Sequence, residues 1–205
     1  MIAQLSEWYG KDVDLTIHIG NFHKHLGMRL DHWIQGGVKI NVTEYLSKIL
    51  EDVPQKHKGH LVMPVANHLF EVGKAAWNLS KDNVQIFYTI VDKVLFLRKL
   101  VWFDILTGVA LLTTRVIEPE EDDEKKLSHV LKYLKITREL VLTLESDVSG
   151  TVKYWMDGSF VVHHDMKIHI GGSMLMGKCA VYCASIKQKL NTKSSTKAEL
   201  VVWMT

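Results

Sequence analysis

The spacing of apolar residues predicts four helices in the middle of the chain. Residues three and four positions apart share one face of an α-helix, and four segments show that spacing. The first predicted helix begins at Asn41, which with Glu44 resembles a capping box, and runs to about Asp52. The others begin near Ser80, near Asp104 and in an acidic tract whose charges favour a first helical turn. The predicted buried stripes are Leu46, Ile49, Leu50 and Val53; Val84, Phe87, Tyr88, Val91 and Leu95; Ile105, Val109, Leu112 and Val116; and Leu127, Val130, Leu131 and Leu134.

The two ends of the chain show a strand pattern instead. Short β-prone pieces between Val13 and Leu30, followed by a glycine turn at Gly36–Gly37, predict hairpins. From Leu140 onward apolar and polar residues alternate, and a turn at Gly177–Lys178 predicts a hairpin before a final helix. These patterns predict an α+β chain with a boundary near Gly150.

Composition narrows the class of protein. The 205 residues are 47% hydrophobic, enough to bury a core, and a formal net charge of +2 does not by itself indicate a nucleic-acid-binding protein. Cys179 and Cys183 are too few for a disulfide framework, which favours an intracellular, cytoplasmic or nuclear protein over a secreted one. The uncharged apolar stretch 105–114 is shorter than the roughly 20 residues of a membrane span, so we expect no membrane association.

Histidine is frequent, but no metal site is predicted from it. None of the neighbouring histidines has the ligand spacing of a closed site, and no cysteine cluster joins them. We interpret them as solvated or locally hydrogen-bonded side chains. The closest pairs are His23 and His25, His57 and His60, and His163 and His164.

One pair of carboxylates is a candidate metal site. Asp157 follows the apolar residues of a predicted strand, and Glu199 lies in the first turn of the last predicted helix. A helix packed on a sheet could bring both carboxylates together, and such oxygen ligands suit Mg²⁺ in phosphoryl chemistry. The alternative is an ordinary acidic residue after a strand.

A basic stretch before the last helix is a candidate nucleic-acid contact. Its hydroxyls and helix-start N–H groups are suited to phosphate, and no acidic residue interrupts it. A solvated loop followed by a helix N-cap remains the alternative interpretation. The candidate residues are Lys187, Lys189, Lys193, Ser194, Ser195 and Thr196.

Several segments resemble, in collinear order, the polyprotein of copia-type LTR retrotransposons. The segments "YWMDGSF", "GGSMLMGK" and "KQKLNTKSSTKAEL" resemble successive parts of the family's ribonuclease H domain. Upstream, "HLGMRL" and "VKINVTEYLSKILED" resemble the hairpin, strand and helix that follow the polymerase active site.

The resemblance implies three regions and a family activity. Residues 1–53 would end the reverse transcriptase palm and start its thumb, 54–150 would form a helical thumb or connection region, and 151–205 a partial ribonuclease H-like fold of β-hairpins plus a first helix. The intact family synthesises DNA on RNA and cuts RNA–DNA hybrids with Mg²⁺. By resemblance, Asp157 and Glu199 match two metal ligands, whereas Gly27 and Asp104 match structural landmarks.

Departures from the family pattern predict a truncated, degenerate copy that is inactive as an isolated chain. The Tyr-Val-Asp-Asp motif of the polymerase and two further nuclease acids are absent from these 205 residues, and Lys197 stands where the family has Glu. We expect at most weak binding of RNA–DNA hybrid or other nucleic acid, and self-association through unpaired strand edges. The alternatives are a non-enzymatic nucleic-acid-binding or protein-interaction module derived from the remnant, and an unrelated small enzyme using Asp157 and Glu199.

Overall fold

Helices and antiparallel sheets make up the described part of the chain. The structure is a computed structural model that describes residues 2–10, 16–32, 36–53, 61–65, 69–71, 77–147, 149–159, 162–163, 165–190, 192 and 194–202. The helices within these ranges are α1 (Ile2–Tyr9), α2 (Thr43–Asp52), α3 (Lys81–Leu100), α4 (Leu106–Thr113), α5 (Glu121–Ile136) and α6 (Ser195–Val202), with a 3₁₀ turn at Phe103–Ile105. None of these helices is both long and apolar enough to cross a lipid bilayer.

A four-stranded antiparallel sheet joins the two ends of the helical region. Its strands, in spatial order, are β1 (Phe22–His25), β2 (Met28–Asp31), β3 (Gly37–Asn41) and β4 (Leu142–Glu145). The β1–β2 turn places Leu26 and Gly27 at φ 49° and 75°, as a tight two-residue hairpin requires, which agrees with a structural role for Gly27. The predicted strand before Gly20 is wrong over 16–19, which belong to no strand.

Pairing of β3 with β4 crosses the predicted regional boundary at residues 53 and 54. Gly37 is registered with Glu145, and Ile40 with Leu142. The segment 54–150, expected to be helical, therefore also supplies the last strand of the first sheet. The helices α2, α3, α4 and α5 therefore lie, along the chain, between two strands that pair with each other.

The main core lies among these helices. All four predicted positions on α5, from Leu127 to Leu134, are buried, which confirms that stripe. The predicted stripe on α3 is partly wrong, because Tyr88 is 50% exposed whereas Ile90, Val94 and Leu97 are buried. The buried face of α3 is therefore set by the elements that pack against it, and the spacing of its apolar residues did not predict this face correctly.

Helix starts also differ from the prediction. Asn41 lies one residue before the N-cap of α2, and its Oδ1 accepts from the backbone N–H of Thr43 at 2.8 Å. Glu44 forms an exposed ion pair with Lys24 at 3.1 Å instead of closing a capping box. A true capping box occurs at α5, between Glu120 and Asp123.

The carboxyl-terminal part is a second antiparallel sheet with a helix packed on it. Strands β5 (Val152–Ser159), β6 (His169–Met176) and β7 (Cys179–Lys187) follow one another in space, and the Gly177–Lys178 turn confirms the predicted hairpin. α6 packs on this sheet through Ala198 and Val202.

Hydrogen bonds and an ion pair connect the second sheet to the rest of the described chain. The Lys178 N–H donates to the Glu145 carbonyl at 3.1 Å, and its Nζ pairs with the Glu145 carboxylate at 2.6 Å. On α4, the Thr107 hydroxyl is hydrogen-bonded to the Ser185 hydroxyl on β7 at 2.9 Å. The β6–β7 hairpin therefore contacts both the first sheet and the helical core.

Candidate nucleic-acid and metal site

Asp157 lies near the end of β5 with an exposed side chain. Its position is registered with Gly171 on β6, within an unbroken run of antiparallel pairs from Val152 to Ser159. The carboxylate Oδ1 accepts from the backbone N–H of Gly158 at 2.9 Å. Asp157 therefore lies on a strand, as predicted, and among the described strands this strand is at the edge of its sheet.

The neighbours of Asp157 contact α6. A Cβ placed on Gly158 would lie 2.9 Å from the Val202 Cγ2 and 3.6 Å from the Ile168 Cγ2, so the missing side chain permits the close approach of the helix. Met156 packs against the same small core. Met156 and Gly158 therefore mark the face of the sheet that α6 covers.

Asp157 faces away from α6. Successive side chains of a strand point to opposite faces, so the residue between Met156 and Gly158 lies on the other side. There Asp157 lines a cavity of about 410 Å³ together with Thr107 of α4 and Ser185 of β7.

Glu199 is exposed on α6, next to buried Ala198, and it lies beyond the first turn, in which it was predicted, because α6 begins at Ser195. The fold brings β5 and α6 into contact, but the Asp157 carboxylate points to the far face. Among the described residues no group of three or more His, Cys, Asp or Glu side chains forms a metal site, so these residues do not complete a donor set for Mg²⁺. The metal-binding role of Asp157 and Glu199 stays a prediction, and no chemical step is derived from it.

The basic stretch is only partly a free cationic surface. Lys187 pairs with Asp165 at 2.9 Å, and this hydrogen bond is the main cause of a lowered Asp165 pKa. Lys189 is exposed, and Lys193 lies outside the described residues. The prediction that no acid interrupts the stretch holds in sequence, but in three dimensions Asp165 offsets one of its charges.

The serines and threonine of the stretch form the start of α6. Ser194 acts as the cap, since its Oγ accepts from the backbone N–H of Lys197 at 3.3 Å. Ser195 and Thr196 follow in the first turn with exposed side chains. The N-cap interpretation is therefore confirmed for Ser194, and phosphate contact by these residues stays a prediction.

A buried histidine pair lies on the face of the second sheet that Asp157 shares. His163 and His169 are 9% and 8% exposed, and their Nε2 and Nδ1 atoms are hydrogen-bonded at 2.9 Å. The His169 Nε2 is in turn bonded to the Ser185 hydroxyl at 2.6 Å. Phe70 lies against both rings, with centroid distances of 4.8 and 5.3 Å.

Burial favours the neutral form of both imidazoles. Desolvation lowers the pKa of His169 to about 4, with a further contribution from the nearby His163, whose own pKa is lowered mainly by burial. Because its pKa is so low, the His169 imidazole would be a weak general base for the Ser185 hydroxyl. That hydroxyl is also hydrogen-bonded to the Thr107 hydroxyl. We interpret the array as structural, since it connects β6, β7 and α4.

Sequence reasoning missed this array. His163 is locally hydrogen-bonded, as expected of the histidines in general, but it is not solvated, and His169 was not singled out. The available signal was the position of His169 between Ile168 and Ile170, both of which are buried on the opposite face. A strand that is buried on both faces needs partners for any polar side chain.

The chain is similar to a transposon protein. It is 23% identical over 187 residues to a protein of Saccharomyces cerevisiae named "Putative transposon Ty5-1 protein YCL074W". The match covers 89% of this chain and 59% of that protein, so the chain spans less than two thirds of its relative. No family model matches the chain, and no solved structure matches it. The similarity supports a retrotransposon-related origin.

Proposed function

We propose that the chain derives from a copia-type retrotransposon polyprotein, comprising late reverse transcriptase palm and thumb, a helical connection and a partial ribonuclease H-like fold. The observation that carries this proposal is the element order of the second sheet. Three antiparallel strands precede a helix packed on the first strand, with Asp157 on that strand and Glu199 on that helix. The similarity to a transposon protein over most of the chain supports the same origin.

The isolated chain is expected to bind nucleic acid without cutting it. Within the described residues Asp157 and Glu199 belong to no group of three or more metal-binding side chains, and two-metal hydrolysis needs enough carboxylates to hold two metal ions. Contacts with phosphates need only exposed cations and backbone N–H groups. The exposed Lys189 and Lys197 and the first turn of α6 can supply such groups.

A second candidate is a non-enzymatic nucleic-acid-binding module. The exposure of Lys189 and of Lys197 favours it, because phosphate contacts by these lysines do not depend on the carboxylates. The two candidates differ in what they bind. A ribonuclease H-derived surface should prefer an RNA–DNA hybrid, whereas a general phosphate-binding surface should bind DNA and RNA duplexes equally.

Incubation of the purified full chain with end-labelled RNA–DNA hybrid and Mg²⁺ tests the enzymatic part. We expect no cleavage above that of a buffer control. Cleavage that disappears in both Asp157→Asn and Glu199→Gln would overturn the inactive reading and assign a working nuclease to these carboxylates.

Fluorescence anisotropy with labelled hybrid, DNA duplex and RNA duplex tests the binding part. We expect tighter binding to the hybrid, and an affinity that falls steeply between 50 and 200 mM salt. Replacing Lys189 and Lys197 by Gln should weaken binding. It should also make the slope of log affinity against log salt concentration shallower by roughly one unit per lost phosphate contact. The matched control replaces the exposed Lys81 and Lys99 of α3, which changes net charge equally. Equal loss in both double variants would refute a site at α6.

A further inference from the structure

We propose that Asp165 is an autoinhibitory contact, which holds Lys167 and Lys187 in ion pairs and so keeps them from nucleic-acid phosphates. This inference rests on the proposed function, because it names two further phosphate contacts and the group that regulates them. Lys187 belongs to the predicted basic stretch, whereas Asp165 and Lys167 lie on the connection between β5 and β6. A phosphate that takes the place of the Asp165 carboxylate would make both lysines available to nucleic acid.

One carboxylate oxygen lies between the two lysines. The Oδ2 atom of Asp165 is 2.9 Å from the Lys187 Nζ and 3.5 Å from the Lys167 Nζ. Lys187 is the last residue of β7, and Lys167 comes just before β6, so two neighbouring strands bring the ammonium groups together. A phosphate oxygen at the position of Oδ2 would meet the same two donors, since carboxylate and phosphate oxygens both accept charge-assisted hydrogen bonds.

The turn that carries Asp165 is held by backbone hydrogen bonds. The Met166 N–H donates to the His163 carbonyl at 2.9 Å, and the His163 N–H donates to the Lys167 carbonyl at 3.4 Å. The imidazole of His163 is buried against His169 and anchors the same turn. None of these contacts uses the Asp165 carboxylate, so Asp165→Asn should remove the charge and keep the turn.

All three side chains are accessible to a ligand. The side chains of Lys187, Lys167 and Asp165 are 39%, 31% and 43% exposed. Ion pairs at such exposure are screened by solvent and are weak, so a competing anion can open them. Two lysines and one aspartate also leave one positive charge at this place, which attracts a phosphate. The contact therefore reduces the affinity for nucleic acid without closing the site.

Asp165→Asn tests the autoinhibition. In fluorescence anisotropy with labelled RNA–DNA hybrid, this full-length variant should bind more tightly than the unmodified chain. The slope of log affinity against log salt concentration should become steeper by about 0.9 per freed lysine. With two freed lysines, the gain in affinity should be about tenfold larger at 50 mM than at 200 mM salt.

The matched control is Glu118→Gln. Glu118 is an exposed acidic residue that forms no ion pair within the described part of the chain, and its replacement changes the net charge equally. A general charge effect would raise the affinity of Glu118→Gln as much as that of Asp165→Asn. Equal gains in the two variants would therefore overturn the autoinhibitory role of Asp165.

The lysines are tested in both backgrounds. Lys167→Gln combined with Lys187→Gln should remove the gain that Asp165→Asn produces. In the chain that keeps Asp165, the same lysine replacements should lower the affinity by a smaller factor, because the carboxylate already engages these lysines. Equal factors in the two backgrounds would show that Asp165 does not hold the lysines back, and would refute the proposal.

These measurements separate the inference from the proposed function. An unmodified chain that binds the hybrid, with unchanged affinity in Asp165→Asn, would overturn the inference alone. A gain of equal size for hybrid, DNA duplex and RNA duplex would support the inference and would argue against a preference for the hybrid. Absence of binding by both chains at 50 mM salt would overturn the inference and the proposed binding function together.

Discussion

Acidification should destabilise the fold through the buried His163–His169 pair. The pKa of His169 falls from 6.5 to about 4 on folding. Between these two pH values the imidazole is therefore mostly protonated in the unfolded chain and mostly neutral in the folded chain. The stability that the neutral imidazole contributes is thus complete above pH 6.5 and is lost as the pH falls towards 4. At 1.36 kcal/mol per pKa unit, the loss is about 3 kcal/mol across the window and about 2 kcal/mol between pH 7 and pH 5.

Urea unfolding at pH 7, 6 and 5 measures this loss, with tryptophan fluorescence, to which the fully buried Trp102 contributes, as the reporter. His169→Asn should be less stable at pH 7 but should lose about 2 kcal/mol less than the unmodified chain by pH 5, because the group that titrates is gone. Titration of carboxylates cancels in this comparison. The control His25→Asn removes a histidine at an exposed site on β1 and is compared with His169→Asn in the same assay. The same pH dependence in His169→Asn and in the unmodified chain would refute the assignment.

Two further predictions test the packing of the sheet and of the helical core. Gly158→Ala should lower the free energy of unfolding in urea by about 1–3 kcal/mol, since the new Cβ would lie 2.9 Å from the Val202 Cγ2. The control Gly171→Ala should be tolerated, because its new Cβ would meet nothing within 4 Å. Equal losses in the two variants would contradict the close approach of α6. Burial and a hydrogen bond to Asp104 raise the pKa of Tyr133 to about 12, so the folded state should lose stability as the pH rises above 10. Tyr133→Phe should reduce that alkaline loss in the same assay, and an unchanged loss would rule out Tyr133 as its source.

The helices that sequence reasoning predicted best are those whose pattern depends on local spacing. The stripe on α5 and its acidic first turn are present as expected, and Arg115 adds ion pairs to Glu120 and Asp123 at 3.1 and 3.0 Å. The Gly177–Lys178 hairpin was predictable for the same reason, because a glycine with φ 72° defines the turn. The buried face of α3 was not, since apolar residues lie on more than one side of it.

The candidate site shows the same division. The strand position of Asp157 and the Ser194 cap of α6 follow from local sequence, and both are present. Which face each side chain occupies depends on contacts between distant segments. The pairing of Lys187 with Asp165 depends on the chain between β5 and β6, which carries no periodic pattern.

By itself the sequence predicted α2, α3, α4 and α5 and the Gly177–Lys178 hairpin, because intervals of two and of three to four residues select a face within one element. Only the tertiary structure decided that β4 pairs with β3, that Asp157 faces the cavity beside Thr107, and that His169 is buried. Each of these depends on residues separated by tens of positions, whose approach is set by packing and by the loss of water rather than by local spacing.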